Sequence, residues 1–135
     1  MTTIEIAVRS YELDALGHVN QAVYHQYAEL ARIASVEASG LPIADFLTAG
    51  YAAVLLESHI TFRRELRAGD TVTVSCETKF GAGKTFRAEQ KITKLDGTLS
   101  AELSCTLGLM DLRERRLVAD PRATLESLGA DPDAM

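Results

Sequence analysis

No apolar run in this chain approaches the roughly 20 residues that a membrane-spanning helix needs, so no helical span is expected. Basic residues are outnumbered, 14 Lys and Arg against 19 Asp and Glu. The resulting net charge of −5 argues against nucleic acid or an anionic membrane as the main partner, while leaving room for a local basic pocket. The amino terminus, Met-Thr-Thr-Ile-Glu-Ile, lacks the basic and apolar regions of a signal peptide, and a cytoplasmic location is the expectation. Only two cysteines occur, Cys76 and Cys105, and neither has the neighbouring partner of a metal site or redox pair. Both fall at inward strand positions and read as reduced core thiols. Repeats, linkers and low-complexity segments are missing as well. What remains is 135 residues, 47% hydrophobic and 24% charged, the composition of one ordinary globular domain with a sizeable core. That domain is expected over residues 1–129, with residues 130–135 a flexible tail.

Periodicity supplies the elements. Ile4, Ile6 and Val8 alternate with Glu5, Ala7 and Arg9 as a first strand. After a turn-like stretch, Asn20 is a good helix cap and Gly40-Leu-Pro42 a good stop, which frames a helix of about 19 residues, or roughly 28 Å. Ala22, Ala28, Ala31, Ala34 and Ala38 keep its surface small, so another element can approach closely; a central helix wrapped by a sheet is the reading. A short helix or loop spans Pro42–Ala49, and everything after Gly50 reads as strand. Val54, Leu56, Ser58, Ile60 and Phe62 are expected on one face, with Leu55, Glu57, His59 and Thr61 on the other. Val72, Val74 and Cys76 form the next inward row, then Phe86, Ala88, Gln90 and Ile92, then Leu99 to Leu109 in steps of two. Gly69-Asp70, Gly81-Ala-Gly83 and Asp96-Gly97 mark the turns. Short turns imply antiparallel neighbours, so the simplest architecture is α+β, a curled antiparallel sheet of about five strands around one long helix.

The familiar catalytic signatures are absent. Without a Gly-x-Ser-x-Gly elbow or a cysteine in a catalytic setting, a serine or cysteine hydrolase has no support. His25 and Glu29 stand four apart on the helix, but the His-Glu-x-x-His pattern is missing and no metal is expected. His25 reads as a partly exposed helix residue and Glu29 as a structural carboxylate bonding backbone or Arg32. Gly83-Lys84-Thr85 imitates the end of a P-loop, yet Thr78 stands where the first glycine belongs and a strand pattern follows. That segment reads as a hairpin turn, with Lys84 an exposed cation that an anionic ligand could meet.

The informative segment is Tyr11-Glu-Leu-Asp-Ala-Leu-Gly-His-Val-Asn20. It sets the carboxylate of Asp14 ahead of the cap Asn20, with Gly17 between them. A carboxylate facing the positive end of a helix is suited to attacking a carbonyl that the helix polarises. An aspartate before a glycine is also an ordinary turn former. The grouping of Asp14, Gly17, His18, Asn20 and Tyr24 at the mouth of a long helix favours a site.

The stretch from Asp14 to Tyr24, continuing through Tyr27-Ala-Glu-Leu-Ala-Arg32, resembles hotdog-fold acyl thioesterases of the 4-hydroxybenzoyl-CoA thioesterase type. So do Ile60-Thr-Phe-Arg63, Leu66-Arg-Ala-Gly-Asp70 and the strand order to about residue 120. The resemblance implies that Asp14 is the catalytic carboxylate, a nucleophile or a general base for water. It implies that a backbone N–H at or near Gln21 polarises the thioester carbonyl. Gly17 would allow a tight turn and close approach of the thioester, Asn20 would cap the helix or orient water, and His18 and Tyr24 would be pocket walls. His59 sits where many relatives carry an acidic residue; it would border the pocket across a subunit interface or be an ordinary strand histidine. Some relatives grip the CoA phosphates with an arginine-rich turn; here that turn holds only Lys84, with Arg63, Arg64 and Arg67 as possible substitutes. The implied partners are an acyl-CoA or acyl carrier protein thioester and further copies of the chain, in a homodimer or a tetramer made of two dimers. No cofactor is implied. Two rival readings stand beside hydrolysis: a dehydratase or hydratase on a carrier-bound acyl chain, using an aspartate–histidine pair, and a non-catalytic acyl-thioester-binding protein.

Overall fold

The computed structural model describes residues 1–135. The chain runs through β1 (Thr2–Ala7), a single 3-10 turn (Ser10–Glu12), α1 (Gln21–Ala38) and α2 (Ile43–Thr48). It continues through β2 (Tyr51–Phe62), β3 (Thr71–Phe80), β4 (Thr85–Lys94) and β5 (Leu99–Asp111), and ends in β6 (Arg116–Leu117), α3 (Pro121–Ser127) and a second 3-10 turn (Pro132–Ala134). One antiparallel sheet has the order β1-β3-β4-β5-β2, with β6 paired to the end of β5. The inward rows are those that alternation marks out, with the exception of Leu99. Val72, Val74 and Cys76 on β3, Phe86, Ala88, Gln90 and Ile92 on β4, and Ala101 to Leu109 on β5 are all buried.

Helix α1 lies across these rows through Tyr24, Tyr27, Ala28, Ala31, Ser35 and Val36. Its start is fixed by Asn20, whose side chain accepts the Ala22 N–H at 2.9 Å and so satisfies one of the donors left over at a helix amino terminus. Ala28 and Ala31 are the alanines at the close contact, whereas Ala22 and Ala38 are exposed. The sheet therefore wraps one side of the helix. The other side stays open and carries Leu30 and Ile33 to solvent.

Several expectations change. The short turn after β2 does not make it a neighbour of β3: β2 pairs with β5, and β3 lies between β1 and β4. Leu99 leaves the inward row, because the β4–β5 register shifts between Ile92 and Thr93 and sets Leu99 opposite Thr93, with Ser100 the extra residue. Not everything after Gly50 is strand, since Asp120 caps a short helix with Pro121 at its first position. Strand β2 does not keep one alternation from end to end. Its pairing with β5 is interrupted between Leu55 and Glu57, which leaves Leu56 as the extra residue of a β-bulge. Because side chains alternate with a period of two, one inserted residue exchanges the faces. Ala53 and Leu55, opposite the buried Leu109 and Leu107, thus share the inner face with Ser58, Ile60 and Phe62. The inward turn of Ser58 is marked by its hydroxyl, 3.7 Å from the Cys105 thiol.

The segment 130–135, expected as a flexible tail, packs against the domain. Asp131 N–H donates to Ser39 O at 2.8 Å, and Thr78 N–H donates to Met135 O at 3.3 Å. Ala130, Pro132 and Met135 are buried. Those apolar side chains are what a polar Asp-Pro-Asp pattern concealed.

Candidate active site

The site is built on the connection between β1 and α1. The 3-10 turn brings Glu12 into the interior, where it is 7% exposed. Its Oε1 accepts the Arg9 backbone N–H and the Tyr27 hydroxyl, each at 2.7 Å, and its Oε2 accepts Arg9 Nη1 at 3.2 Å. Burial pushes this carboxyl up, but the hydrogen bonds from Tyr27 and Arg9 together outweigh burial and hold it below the ordinary glutamate range. Burial and the same carboxylate push the Tyr27 hydroxyl well up, so it stays a neutral donor. Glu12 also holds the loop to the helix through its main chain, since its carbonyl accepts the Asn20 N–H at 2.8 Å.

Between Glu12 and Asn20 the chain makes a tight hairpin. Leu13 faces Val19, Asp14 N–H donates to His18 O at 2.7 Å, and Gly17 N–H donates to Asp14 O at 3.1 Å. Gly17 has φ +75°, a left-handed conformation that glycine adopts without steric cost. Val19 N–H donates to Leu66 O at 2.8 Å and His18 bridges to Arg67, which pins the hairpin to the segment between β2 and β3.

Within this frame the Asp14 carboxylate is half engaged. Its Oδ1 accepts the N–H groups of Leu16 at 2.9 Å and His18 at 3.2 Å, while its Oδ2 has no partner in the chain. At the helix start, Ala22 N–H is taken by the Asn20 side chain and Val23 N–H by Asn20 O, but no acceptor in the chain reaches the Gln21 N–H. That free donor sits at the positive end of an 18-residue helix. Asp14, His18, Asn20, Gln21 and Tyr24 line one cleft of about 430 Å³, with Gly17 in the same loop.

The cleft also contains Arg63 and Arg64, cations that the resemblance offered for the carrier's phosphates, and Phe62, to which the sequence assigned no role in the site. Phe62, at the end of β2, meets the buried Tyr24 edge-on, with ring centroids 5.1 Å apart at 88°. Arg63 and Arg64 line the rim. Arg63 is paired with Glu102 at 2.9 Å, and Arg67, just outside, with Glu65 at 3.1 Å. The Arg64 guanidinium donates only to Arg63 O, at 3.1 Å, and has no carboxylate partner. The tie of Glu12 to Tyr27 spans 15 positions and follows from no local pattern; the 3-10 turn that creates it is too short to leave a periodicity.

His59 and Lys84 do not join this cleft within one chain. His59 has the phase of Glu57 and Thr61 and lies on the sheet face away from α1, opposite Ser104. There it lines a separate polar hollow with Ser75 and Glu89. Lys84 sits in the turn after β3, whereas the Asp14 hairpin packs beside residues 66 and 67, before β3 begins. The ten residues of β3 put about 30 Å between those positions. Glu29 is exposed and bonds neither backbone nor Arg32; Arg32 Nη1 instead donates to Gln90 Oε1 at 2.9 Å.

One helix held in a curled antiparallel sheet, with a carboxylate hairpin folded at the helix start, defines a hotdog-fold protein. The chain belongs to the Thioesterase-like superfamily, matched over residues 8–128. It is a thioester hydrolase by that membership. The long-chain acyl-CoA thioesterase FadM of Escherichia coli (strain K12) is 31% identical over 117 residues, covering 85% of this chain and 87% of that protein. The chloroplastic acyl-acyl carrier protein thioesterase ATL3 of Arabidopsis thaliana is 37% identical over 71 residues, which is 53% of this chain and only 37% of that longer protein. Among solved structures, YbaW, a probable thioesterase from Escherichia coli, superposes with a TM-score of 0.82 at 28% identity over 95% of this chain and 98% of that one. No helix is long and apolar enough to cross a membrane.

Proposed function

We propose that the chain hydrolyses an acyl thioester carried on coenzyme A or on an acyl carrier protein, with Asp14 as the catalytic carboxylate. The observation that carries this reading is the pairing, in one cleft, of an unengaged Asp14 Oδ2 with an unengaged Gln21 N–H. The Gln21 N–H takes the thioester oxygen and stabilises the negative charge that grows there; one such donor is typically worth about 10²–10³ in rate. Asp14 Oδ2 takes a proton from water as the water oxygen bonds to the carbonyl carbon. The C–S bond then breaks, the thiolate receives a proton, and the acid leaves. In the nucleophilic variant, Oδ2 itself bonds to the carbonyl carbon, the C–S bond breaks to release the thiolate, and water later opens the resulting anhydride to the acid and free Asp14. Both routes need an ionised carboxylate.

The carrier's phosphates have cations within reach at the rim, of which Arg64 lacks an acidic partner. Long-chain acyl-CoA is the substrate class of the bacterial relative and acyl carrier protein thioesters that of the plant one. A thiol-release screen over short, long, branched and aromatic acyl-CoAs, repeated with pantetheine-bearing carriers, tests the reading. Turnover on at least one series is expected; absence of thiol release from all of them overturns it. The dehydratase reading finds no aspartate–histidine pair here. His18 meets Asp14 through its main-chain N–H, and His59 lies on the other face of the sheet.

Assembly into a dimer, or a tetramer of two dimers, belongs to the same proposal. β2 is an edge strand with one side unpaired, and it exposes Leu55, Leu56 and Phe62 beside the open face of α1. Light scattering is expected to give at least twice the 14.6 kDa chain mass. Leu56→Asp is expected to shift the protein toward the monomer. A wild-type monomer at micromolar concentration contradicts the assembly.

A further inference from the structure

A second cavity, of about 420 Å³, lies farther along the same helix. It is lined by α1, α2, the first half of β2 and the inner faces of β3, β4 and β5, and it opens to solvent along the exposed side of α1 at His25, Glu29 and Ile33. Most of its walls are apolar, among them Val36, Phe46, Leu55, Phe86 and Leu107. The volume falls in the range of small-ligand pockets.

Two rows of residues run from the Asp14 cleft toward this cavity. Gln21 in the cleft and His25, Glu29 and Ile33 in the cavity follow one another at four-residue spacing along one face of α1. Opposite them, the inner row of β2 runs from Phe62 in the cleft through Ile60 and Ser58 to Leu55 in the cavity. The bulge at Leu56 is what keeps Leu55 in that row. From Gln21, a rise of about 1.5 Å per residue places Glu29 about 12 Å away and Val36 about 22 Å away. The cavity therefore extends in the direction that an acyl chain would take when its carbonyl rests on the Gln21 N–H.

The far end of the cavity is closed by Met135. The segment 130–135 crosses from the end of α1 to the end of β3, held by Asp131 N–H on Ser39 O at 2.8 Å and Thr78 N–H on Met135 O at 3.3 Å. The Met135 side chain is 5% exposed and forms part of the cavity wall. Methionine is unbranched and adaptable, a side chain suited to ending an apolar pocket.

We infer that this cavity holds the hydrocarbon portion of the acyl group and that Met135 sets the longest chain accepted. The inference rests on the reading of the Asp14 cleft as a thioester site. Met135 is then a residue of specificity, since it touches the end of the substrate remote from the chemistry. A pocket that gains or loses room for one methylene discriminates by about 10-fold or more.

The test compares kcat/KM across a series of straight-chain acyl-CoAs for the wild type, Met135→Ala and Met135→Trp. Met135→Ala is expected to raise the ratio of long-chain to short-chain kcat/KM by about 10-fold, and Met135→Trp to lower it by a similar factor. An unchanged ratio in both variants, with thiol release still measurable, overturns the inference while leaving the thioesterase reading intact. If the wild type releases no thiol from any thioester, the thioesterase reading fails and the cavity is judged by binding alone. The chain contains no tryptophan, so Met135→Trp introduces a single indole reporter at the proposed end of the pocket. Free fatty acids of increasing length are expected to shift its emission once the chain reaches position 135, and emission indifferent to every length up to the solubility limit overturns the inference. If Met135→Trp does not fold, the Met135→Ala ratio decides.

Discussion

Asp14→Asn is expected to fold as the wild type does and to lower thioester turnover by at least ~10²-fold, the scale of general-base catalysis. The substitution is selective because the two carboxylate oxygens have different work. Oδ1 holds the hairpin by accepting the Leu16 and His18 N–H groups. An asparagine oxygen accepts the same two bonds, so the loop and its distance from the helix are preserved. Oδ2, unengaged in the chain, becomes an amide nitrogen that can neither take a proton from water nor bond to a carbonyl carbon. Thiol release under saturating substrate gives the rate, and thermal unfolding gives the fold. Wild-type turnover by a folded Asp14→Asn protein would remove Asp14 from the mechanism. Asp14→Ala should also unfold at lower temperature, because two loop N–H groups lose their acceptor.

Glu12→Ala should destabilise the protein and lower kcat together, whereas Glu12→Gln should recover much of both. The Tyr27 hydroxyl is buried, with the residue 1% exposed, and its acceptor is Glu12 Oε1. Removing that acceptor leaves a buried donor unsatisfied, at a cost of about 1–3 kcal/mol. Glutamine keeps an oxygen for both Tyr27 and the Arg9 N–H and loses only the contact of Oε2 with the guanidinium. The effect on kcat follows from the main-chain bond between Glu12 and Asn20, which couples the carboxylate hairpin to the helix start. KM is expected to move little, because Glu12 lies behind the cleft. Denaturant unfolding and steady-state kinetics read the two effects.

The pH dependence has a definite sign. The folded carboxyl of Glu12 lies below its unfolded value, near 4.3 for a free glutamate, so its stabilisation is fully present above that value. It fades as pH falls through the lower folded value. The stability gap between wild type and Glu12→Ala should therefore be constant from about pH 6 to 8 and narrow in acid. A gap that does not change between pH 7 and acid would assign the role of Glu12 to packing alone.

Most of the fold was legible because its signals are local. The rows on β3 and β4, and on β5 from Ala101 to Leu109, each keep one phase, and the helix is bounded by a cap and a glycine stop that act within a few residues. Short turns placed β3, β4 and β5 as antiparallel neighbours, but the turn between β2 and β3 joins strands that do not pair: β2 lies beside β5 and β1 beside β3, a long-range choice that no turn residue signals. β2 was misread over its first half because a bulge adds one residue without any change in composition: Val54-Leu-Leu is as apolar in one phase as in the other. Pairing with β5 selects the phase, and that partner stands about 50 positions away. The tail was misread for a related reason, since its anchors, Ser39 and Thr78, are remote in sequence.

The candidate site divides in the same way. Asp14, Gly17, His18, Asn20, Gln21 and Tyr24 are contiguous or one helical turn apart, so one segment carries them together. Phe62, Arg63 and Arg64 arrive from the end of β2 and Glu12 is secured by Tyr27; only tertiary packing joins them. His59 and Lys84 were linked to Asp14 by resemblance alone, and the chain by itself holds both away from it.

The extra residue at Leu56 also works as a joint. On one side of it, β2 delivers Phe62 and Arg63 to the Asp14 cleft; on the other, it delivers Ala53 and Leu55 to the apolar cavity. Deleting that one residue would restore plain alternation and turn Ala53 and Leu55 outward, with the pairing of Ser58 to Phe62 unchanged. The strand can thus be retailored at the end that fits the ligand while the end that serves the chemistry keeps its register.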